Sequence, residues 1–436
     1  MPPESPLAPL RGVRVVDFSS NMAGPVGAMI LAQLGADVIK VESPQGDDAR
    51  LWPPFVDGVS ATHRHMGVGK RGLALDLKKT EGVAVAQRLI DSADVVLQSM
   101  RPGVADRIGI GRERAAARNA DVLFYDLNAF GDGPLGSAMP GYDPMVQAYS
   151  GIMEMTGHEG GAPVRCAPSI IDLASGQWIA MGVLAALMAK GRGQAIGTMQ
   201  TALVDTAFST IPHQAMNARV TGERPGRAGS GNTIAAPYQC FTARDAYVLI
   251  AAPSDKLWRA LLEVIEAPAL ADDPRFSSNG ERVRHMRELE AQLNGILLTR
   301  DAGDWLARLA AAGVPATRVY GLEQAVTSDI ARERGTFMPA GGVDLVRLPW
   351  LVDGQPVPWQ RPAPMLGEHS IDILGELGFT GGEIDQLLAS HAVVAHEARA
   401  GLALKQPDFF PASRTFHHDS FIPNPLPVLT GARRHT

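Results

Sequence analysis

The chain opens with a strand–helix–strand unit, and that unit limits what the rest can become. Residues 13–18 (VRVVDF) form a short apolar run between Gly12 and the polar Ser19, Ser20 and Asn21, which predicts a buried strand. Gly24, Pro25 and Gly27 mark the following turn, residues 26–34 have helical character, and Gly35 ends that helix. Residues 37–42 (DVIKVE) read as a second strand. Parallel strands joined through a helix need cover on both faces of the sheet, so the unit points to an α/β architecture. The alternation continues with a helix at 81–91 and strands at 93–97 and 122–127. Ligands of such sheets bind beyond the C-terminal strand ends.

A length of 436 residues exceeds one ordinary core. The pattern changes near Arg224, where Gly226, Gly229 and Gly231 mark a flexible loop. A strand at 247–252 and helices at 256–265 and 288–297 follow. The expected division is a large domain over 1–224, a smaller α+β domain over 225–340, and a return to the large domain over 341–396, where 367–394 reads as helical. Residues 397–436 form a tail with Phe409, Phe410, Phe416 and Phe421 among prolines. That is too aromatic for an ordinary disordered tail, and it fits an extended segment packed on the body or across a dimer interface.

The composition is that of a soluble globular protein, 45% hydrophobic and 20% charged. A net charge of -6 supplies no general field for nucleic acid or an anionic membrane. Two cysteines, Cys166 and Cys240, cannot make a disulfide framework and have no metal-ligand spacing around them, so a cytoplasmic location is expected. The first twelve residues lack an apolar signal core, and the longest apolar run, 178–189, is too short to span a bilayer.

Several residues could carry chemistry. The turn Asn21-Met22-Ala23-Gly24 after the first strand sits where a nucleotide-like ligand would bind, but it lacks GxGxxG and also reads as ordinary strand–helix turn chemistry. Lys70, Arg71, Lys78, Arg101 and Arg107 lie in or beside the crossovers, as phosphate-binding residues would, although such residues are also common surface charges. Asp172 precedes an apolar helix at 174–190. It could cap that helix, or be kept ionised there to attack, with backbone N–H groups steadying an oxyanion. Asp143, in Gly141-Tyr142-Asp143-Pro144, also suits a turn. HExxH, GxSxG and the phosphate loop GxxxxGK[ST] are missing, and the His417–His418 pair reads as a surface feature, so no metal site is expected.

Taken in order, these residues resemble a known family. DFSSNMAGPVGAMILAQLGADVIKVESPQGDDAR (17–50), GKRGLALDLKKTEG (69–82), MRPG (100–103), GYDP (141–144), APSIIDLASG (167–176), GRGQ (191–194), DDPRFSSNGER (272–282) and LGEHS (366–370) resemble the blocks of family III coenzyme A (CoA) transferases, the CaiB/BaiF group. The resemblance implies a Rossmann-like large domain built from both chain ends, a small middle domain, and an interlocked homodimer. It implies Asp172 as nucleophile, with Tyr142 and Asp143 near the thioester and the Met22-Ala23-Gly24 turn on the pantetheine arm. Lys70, Arg71, Lys78 and Arg107 would face the nucleotide part of CoA, and Arg101 joins them as a candidate CoA contact.

The implied reaction moves CoA from an acyl-CoA donor to a free carboxylic acid through an aspartyl anhydride and an aspartyl-CoA thioester. CoA is a co-substrate, and no tightly bound cofactor is implied. An ordinary aspartate, pKa about 3.9, is ionised at neutral pH, so little proton transfer is needed. The site must instead exclude water from the anhydride. There are departures from the family pattern. Met22 replaces a glutamine found in some relatives, and the ENFRPG-like block reads Gln98-Ser99-Met100-Arg101-Pro102-Gly103. Only Gly226, Gly229 and Gly231 stand for a longer glycine-rich loop, which argues against an oxalate or formyl substrate. Three rival readings remain. A 2-methylacyl-CoA racemase would need the acid–base pair that Tyr142, in place of histidine, supplies poorly. A dinucleotide-dependent dehydrogenase lacks its glycine fingerprint, and an inactive CoA-binding protein would not need Asp172.

Overall fold

The computed structural model describes residues 7–224 and 226–396. The expectations for Phe409, Phe410, Phe416, Phe421, His417 and His418 lie outside them.

The first half of the chain builds a sheet and its covering helices. In chain order these are β1 (Arg14–Phe18), α1 (Ala23–Gln33), β2 (Asp37–Glu42), β3 (Arg71–Leu75), α2 (Thr80–Asp91), β4 (Val95–Gln98) and β5 (Leu123–Asn128). Then come α3 (Asp143–Tyr149), α4 (Ile170–Lys190), β6 (Thr198–Ala202), α5 (Leu203–Thr210) and α6 (Pro212–Thr221). A separate compact unit over 228–321 holds β7 (Tyr238–Thr242), β8 (Tyr247–Ala251), α7 (Asp255–Val264), α8 (Met286–Leu297), α9 (Ala302–Ala311) and β9 (Ala316–Arg318). The chain then rejoins the first unit with α10 (Ser370–Glu376), α11 (Gly381–Ala389) and β10 (Val393–Val394).

The large sheet has the order β10-β3-β2-β1-β4-β5-β6. All neighbours are parallel except β10, which runs antiparallel to β3. The direction of winding reverses between β1 and β4, and a crevice forms at such a point. Side chains alternate across the strands. Val15, Val38, Leu97 and Tyr125 join α1 and α4 in one core, while Val16, Ile39, Val96 and Phe124 join α2, α10 and α11 in the other. Each aliphatic side chain buried this way contributes roughly 1.5–3 kcal/mol relative to leaving it exposed.

The smaller unit pairs β7, β8 and β9 antiparallel and packs Trp258, Leu261, Leu293 and Trp305 from its helices. Arg282 is fully buried there. It donates to the carbonyls of Ala236 at 2.8 Å, Phe276 at 3.1 Å and Pro253 at 2.7 Å.

Four expectations change. The helix expected at 174–190 starts at Ile170, so Asp172 lies inside its first turn. Residues 367–394 are not helical throughout but end in the edge strand β10. The small unit ends at 321 rather than 340, because the hairpin of Phe337–Ala340 with Val343–Val346 places Leu345 in the core of the large unit. Helix α4, with 21 residues, is by length and composition long and apolar enough to cross a membrane, which the shorter run at 178–189 did not show. Ile171, Ile179 and Val183 of this helix are buried in the core of the large unit.

Candidate active site

Parallel strands aim their C-terminal ends at one edge, and the helices that follow begin there. A cavity of about 420 Å³ on that edge is lined by Asp172 together with Met22, Ala23, Arg101, Tyr142 and Leu203. The starts of four helices meet on its wall: Ala23 of α1, Val104 of the short helix Val104–Ile108, Asp172 of α4 and Leu203 of α5. Tyr142, the N-cap of α3, joins them. Helix N-termini carry partial positive charge, so the cavity favours anions.

Asp172 is half-buried at the third position of α4. The N-cap of that helix, Ser169, makes no side-chain capping bond. Asp143 caps it instead. One oxygen of the Asp143 carboxylate accepts the N–H groups of Ile171 at 2.8 Å and Asp172 at 3.2 Å, and the other accepts Gln147 Nε2 at 2.6 Å. Gln147 in turn accepts the Cys166 N–H at 2.9 Å, tying down the loop that leads into α4. Burial, and secondarily the neighbouring Asp143, push the Asp172 carboxyl up to about 7. This corrects the expectation of an ordinary aspartate. The two N–H groups claimed by Asp143 are also no longer free to hold an oxyanion. The start of α1, where Met22 supplies no side-chain cap and the first turn holds no acidic residue, is one helix start beside the cavity without such a carboxylate.

Close contact between α1 and α4 sets the position of Asp172. A Cβ on Gly27 would come within 2.9 Å of Ile179 Cγ2, and one on Gly176 within 2.7 Å of Val26 Cγ1. Gly24 does not line the cavity; it packs against the turn before α1, where a Cβ would meet Ser19 at 2.2 Å.

The expected basic residues separate. Lys78 follows β3 and lines a second cavity, of about 480 Å³, beyond the ends of β1, β2 and β3. Arg101 lines both the Asp172 cavity and a third, of about 380 Å³, beyond β4 and β5. All three cavities share Met100, so they follow one another along the strand ends. Arg107 is exposed and lines none of these three.

Lys70 and Arg71 line none of these three cavities. They enter β3 at its N-terminal end. Lys70 is buried, with Nζ 2.9 Å from Asp17 Oδ2. Arg71 pairs with Asp37 at 3.2 Å and Glu376 at 2.8 Å, next to Arg14 at the N-terminal end of β1. Asp143 is likewise corrected from a substrate contact to a buried cap. Tyr142 is exposed and lines the cavity. Gln147 and the Gly27–Gly176 contact are not foreshadowed by any motif. Their role depends on which helices meet.

Comparisons with known proteins fit this geometry. Residues 10–370 match the pattern of CoA-transferase family III. The succinate–glutarate CoA-transferase of Agrobacterium fabrum is 32% identical over 398 residues, covering 86% of this chain and 97% of that protein. The acetyl-CoA:oxalate CoA-transferase of Acetobacter aceti is 35% identical over 371 residues, covering 84% and 95%. A CaiB/BaiF family protein from Brucella suis, known as a crystal structure, aligns with a TM-score of 0.77 at 32% identity over 85% of this chain and 100% of that one. The chain belongs to the family III CoA-transferases.

Proposed function

We propose that this enzyme transfers CoA between carboxylic acids with Asp172 as the covalent relay. The observation that carries the reading is one cavity in which a half-buried carboxylate, anchored at the start of a helix, faces a wall of helix N-termini. The three adjoining cavities suit a long ligand, with Lys78 and Arg101 available to its phosphates and the Met22–Ala23 wall to the thioester end.

In the first step an Asp172 oxygen bonds to the thioester carbonyl carbon, and the carbon–sulfur bond breaks to give a mixed anhydride and CoA thiolate. The thiolate attacks the aspartyl carbonyl and releases the donor acid, leaving an aspartyl-CoA thioester. The acceptor carboxylate then attacks that thioester and expels the thiolate, forming a second anhydride. The thiolate attacks its acyl carbonyl, which gives the new acyl-CoA and frees Asp172. No net proton is moved, and thioester energy is conserved. A thiolate is a tolerable leaving group because thiols ionise near 8.5.

The donor and acceptor are proposed as small acids, with a succinyl thioester as the first donor to try. A relative named for oxalate at 35% identity removes the force of the glycine-loop argument against that acceptor. The active form is proposed as a homodimer. Trp178, Met181, Phe208, Met216 and Val220 are exposed on α4, α5 and α6, and α6 buries none of its residues, so a second copy has an apolar face to cover.

Incubation with acyl-CoA, trapping with hydroxylamine or borohydride, and mass analysis tests the mechanism. A modification on Asp172 is expected. Its absence, together with deuterium exchange at the substrate α-carbon, would replace the transferase by the racemase. Sedimentation analysis checks the dimer.

A further inference from the structure

The turn over residues 19–22, between β1 and α1, is a wall shared by the Asp172 cavity and the cavity beside Lys78, since Ser20 lines both. Buried Asp17, Lys40 and Asp47, together with Ser99 on the wall of the Asp172 cavity, hold its backbone. The Ser19 N–H donates to Asp17 Oδ1 at 3.0 Å, and the Ser19 carbonyl accepts from Lys40 Nζ. The Ser20 N–H donates to Ser99 Oγ at 2.9 Å, and the Asn21 N–H donates to Asp47 Oδ1 at 3.2 Å. Lys40 and Asp47 pair with each other at 3.1 Å. Asp47 is fixed through its own N–H on Glu42 at 3.0 Å, and Arg50 forks onto Glu42 at 2.7 and 2.6 Å.

Lys40 and Asp47 are both more than nine-tenths buried. Withdrawing such charges from water costs several kcal/mol per ion, and well-packed apolar side chains of similar volume often stabilise a fold as well or better. An apolar set could not bond to successive backbone groups of a turn whose Asn21 sits at φ 67. The network therefore looks directed at the shape of the turn.

We propose that Lys40 and Asp47 are positioning residues, holding the 19–22 turn in the form that an acyl-CoA ligand requires. This rests on the CoA-transfer reading above. Neither residue carries a step of the transfer.

The test uses the full-length enzyme and its Asp47→Ala, Asp47→Asn and Asn21→Ala variants. Thermal unfolding, kcat, the KM for each substrate and adduct formation on Asp172 are measured. Asp47→Ala is expected to raise the KM for acyl-CoA about tenfold, the scale of a lost hydrogen bond to a charged group, and to leave the KM for the acceptor acid nearly unchanged. Asp47→Asn keeps an oxygen for the Asn21 N–H and should recover most of that loss. Asn21→Ala strains the turn without touching the buried charges, so it should raise the same KM even if Asp47→Ala does not fold.

An unchanged KM for acyl-CoA in the folded variants overturns the proposal. So does a proportional change in kcat and both KM values that follows the folded fraction. An unsubstituted enzyme that moves no CoA overturns the transfer reading instead, which separates the two failures.

Discussion

The carboxylate of Asp143 holds Asp172 by its backbone, accepting the Asp172 N–H at 3.2 Å while its other oxygen is occupied by Gln147. One acid thus fixes another without a side-chain bond between them. The same proximity raises the Asp172 pKa, after the larger effect of burial.

The pH dependence follows from that shift. With the carboxyl pushed up to about 7, the attacking form is depleted as pH falls through 7. The kcat/KM for acyl-CoA should fall about tenfold per unit on the acid side and level off above neutrality, measured as a pH–rate profile. Stability carries the opposite sign. The folded state holds the proton more tightly than an ordinary aspartate, so this contribution is full below about 3.8 and is lost as pH rises through about 7.

Replacing Asp143 by alanine strips the cap from two α4 N–H groups and leaves Gln147 without its acceptor. A loss of about 1–3 kcal/mol is expected in urea unfolding. The Asp143→Asn variant removes the charge and should move the acid limb of the pH profile downward. The limb should not reach the ordinary aspartate range, because burial persists.

Gly176→Ala would drive a methyl into Val26 and the Ala23 carbonyl. Overpacking of this kind typically costs 1–3 kcal/mol, so about that loss should appear in denaturant unfolding. Activity should fall further than stability, because the displaced helix carries Asp172.

Lys78 and Lys70 should behave differently on substitution. Lys78→Ala is expected to raise the KM for acyl-CoA roughly tenfold with kcat nearly unchanged, as for a lost contact to phosphate. Lys70→Ala leaves Asp17 buried without its partner at 2.9 Å and should cost about 3–5 kcal/mol of stability, seen in thermal unfolding.

In the smaller unit, Arg282→Ala abandons three buried carbonyls and should lower the melting temperature. Arg282→Lys should rescue only part, because an ammonium cannot reproduce the guanidinium fork.

The strand–helix–strand opening was legible because VRVVDF and DVIKVE are bounded runs with turn residues at both ends. The position of Asp172 was legible as part of a run of family blocks, but its surroundings were not. The capping carboxylate comes from Asp143, 29 residues earlier, and so depends on how two helices meet. Lys70, Arg71 and Lys78 looked equivalent as neighbouring charges. The direction of β3 divides them, since Lys70 and Arg71 enter the strand and Lys78 leaves it. Asp17 and Lys40 sat unnoticed inside apolar runs. Only strand register shows that they are direct neighbours on β1 and β2.

The antiparallel pairing of Val393 and Val394 with Leu75 and Ala74 also bears on synthesis. While the ribosome builds the intervening stretch, the outer rim of β3 has no neighbouring strand to satisfy its backbone. A nascent chain halted after the smaller unit would present that rim to other chains, an invitation to intermolecular strand pairing that ends when Val393 and Val394 arrive.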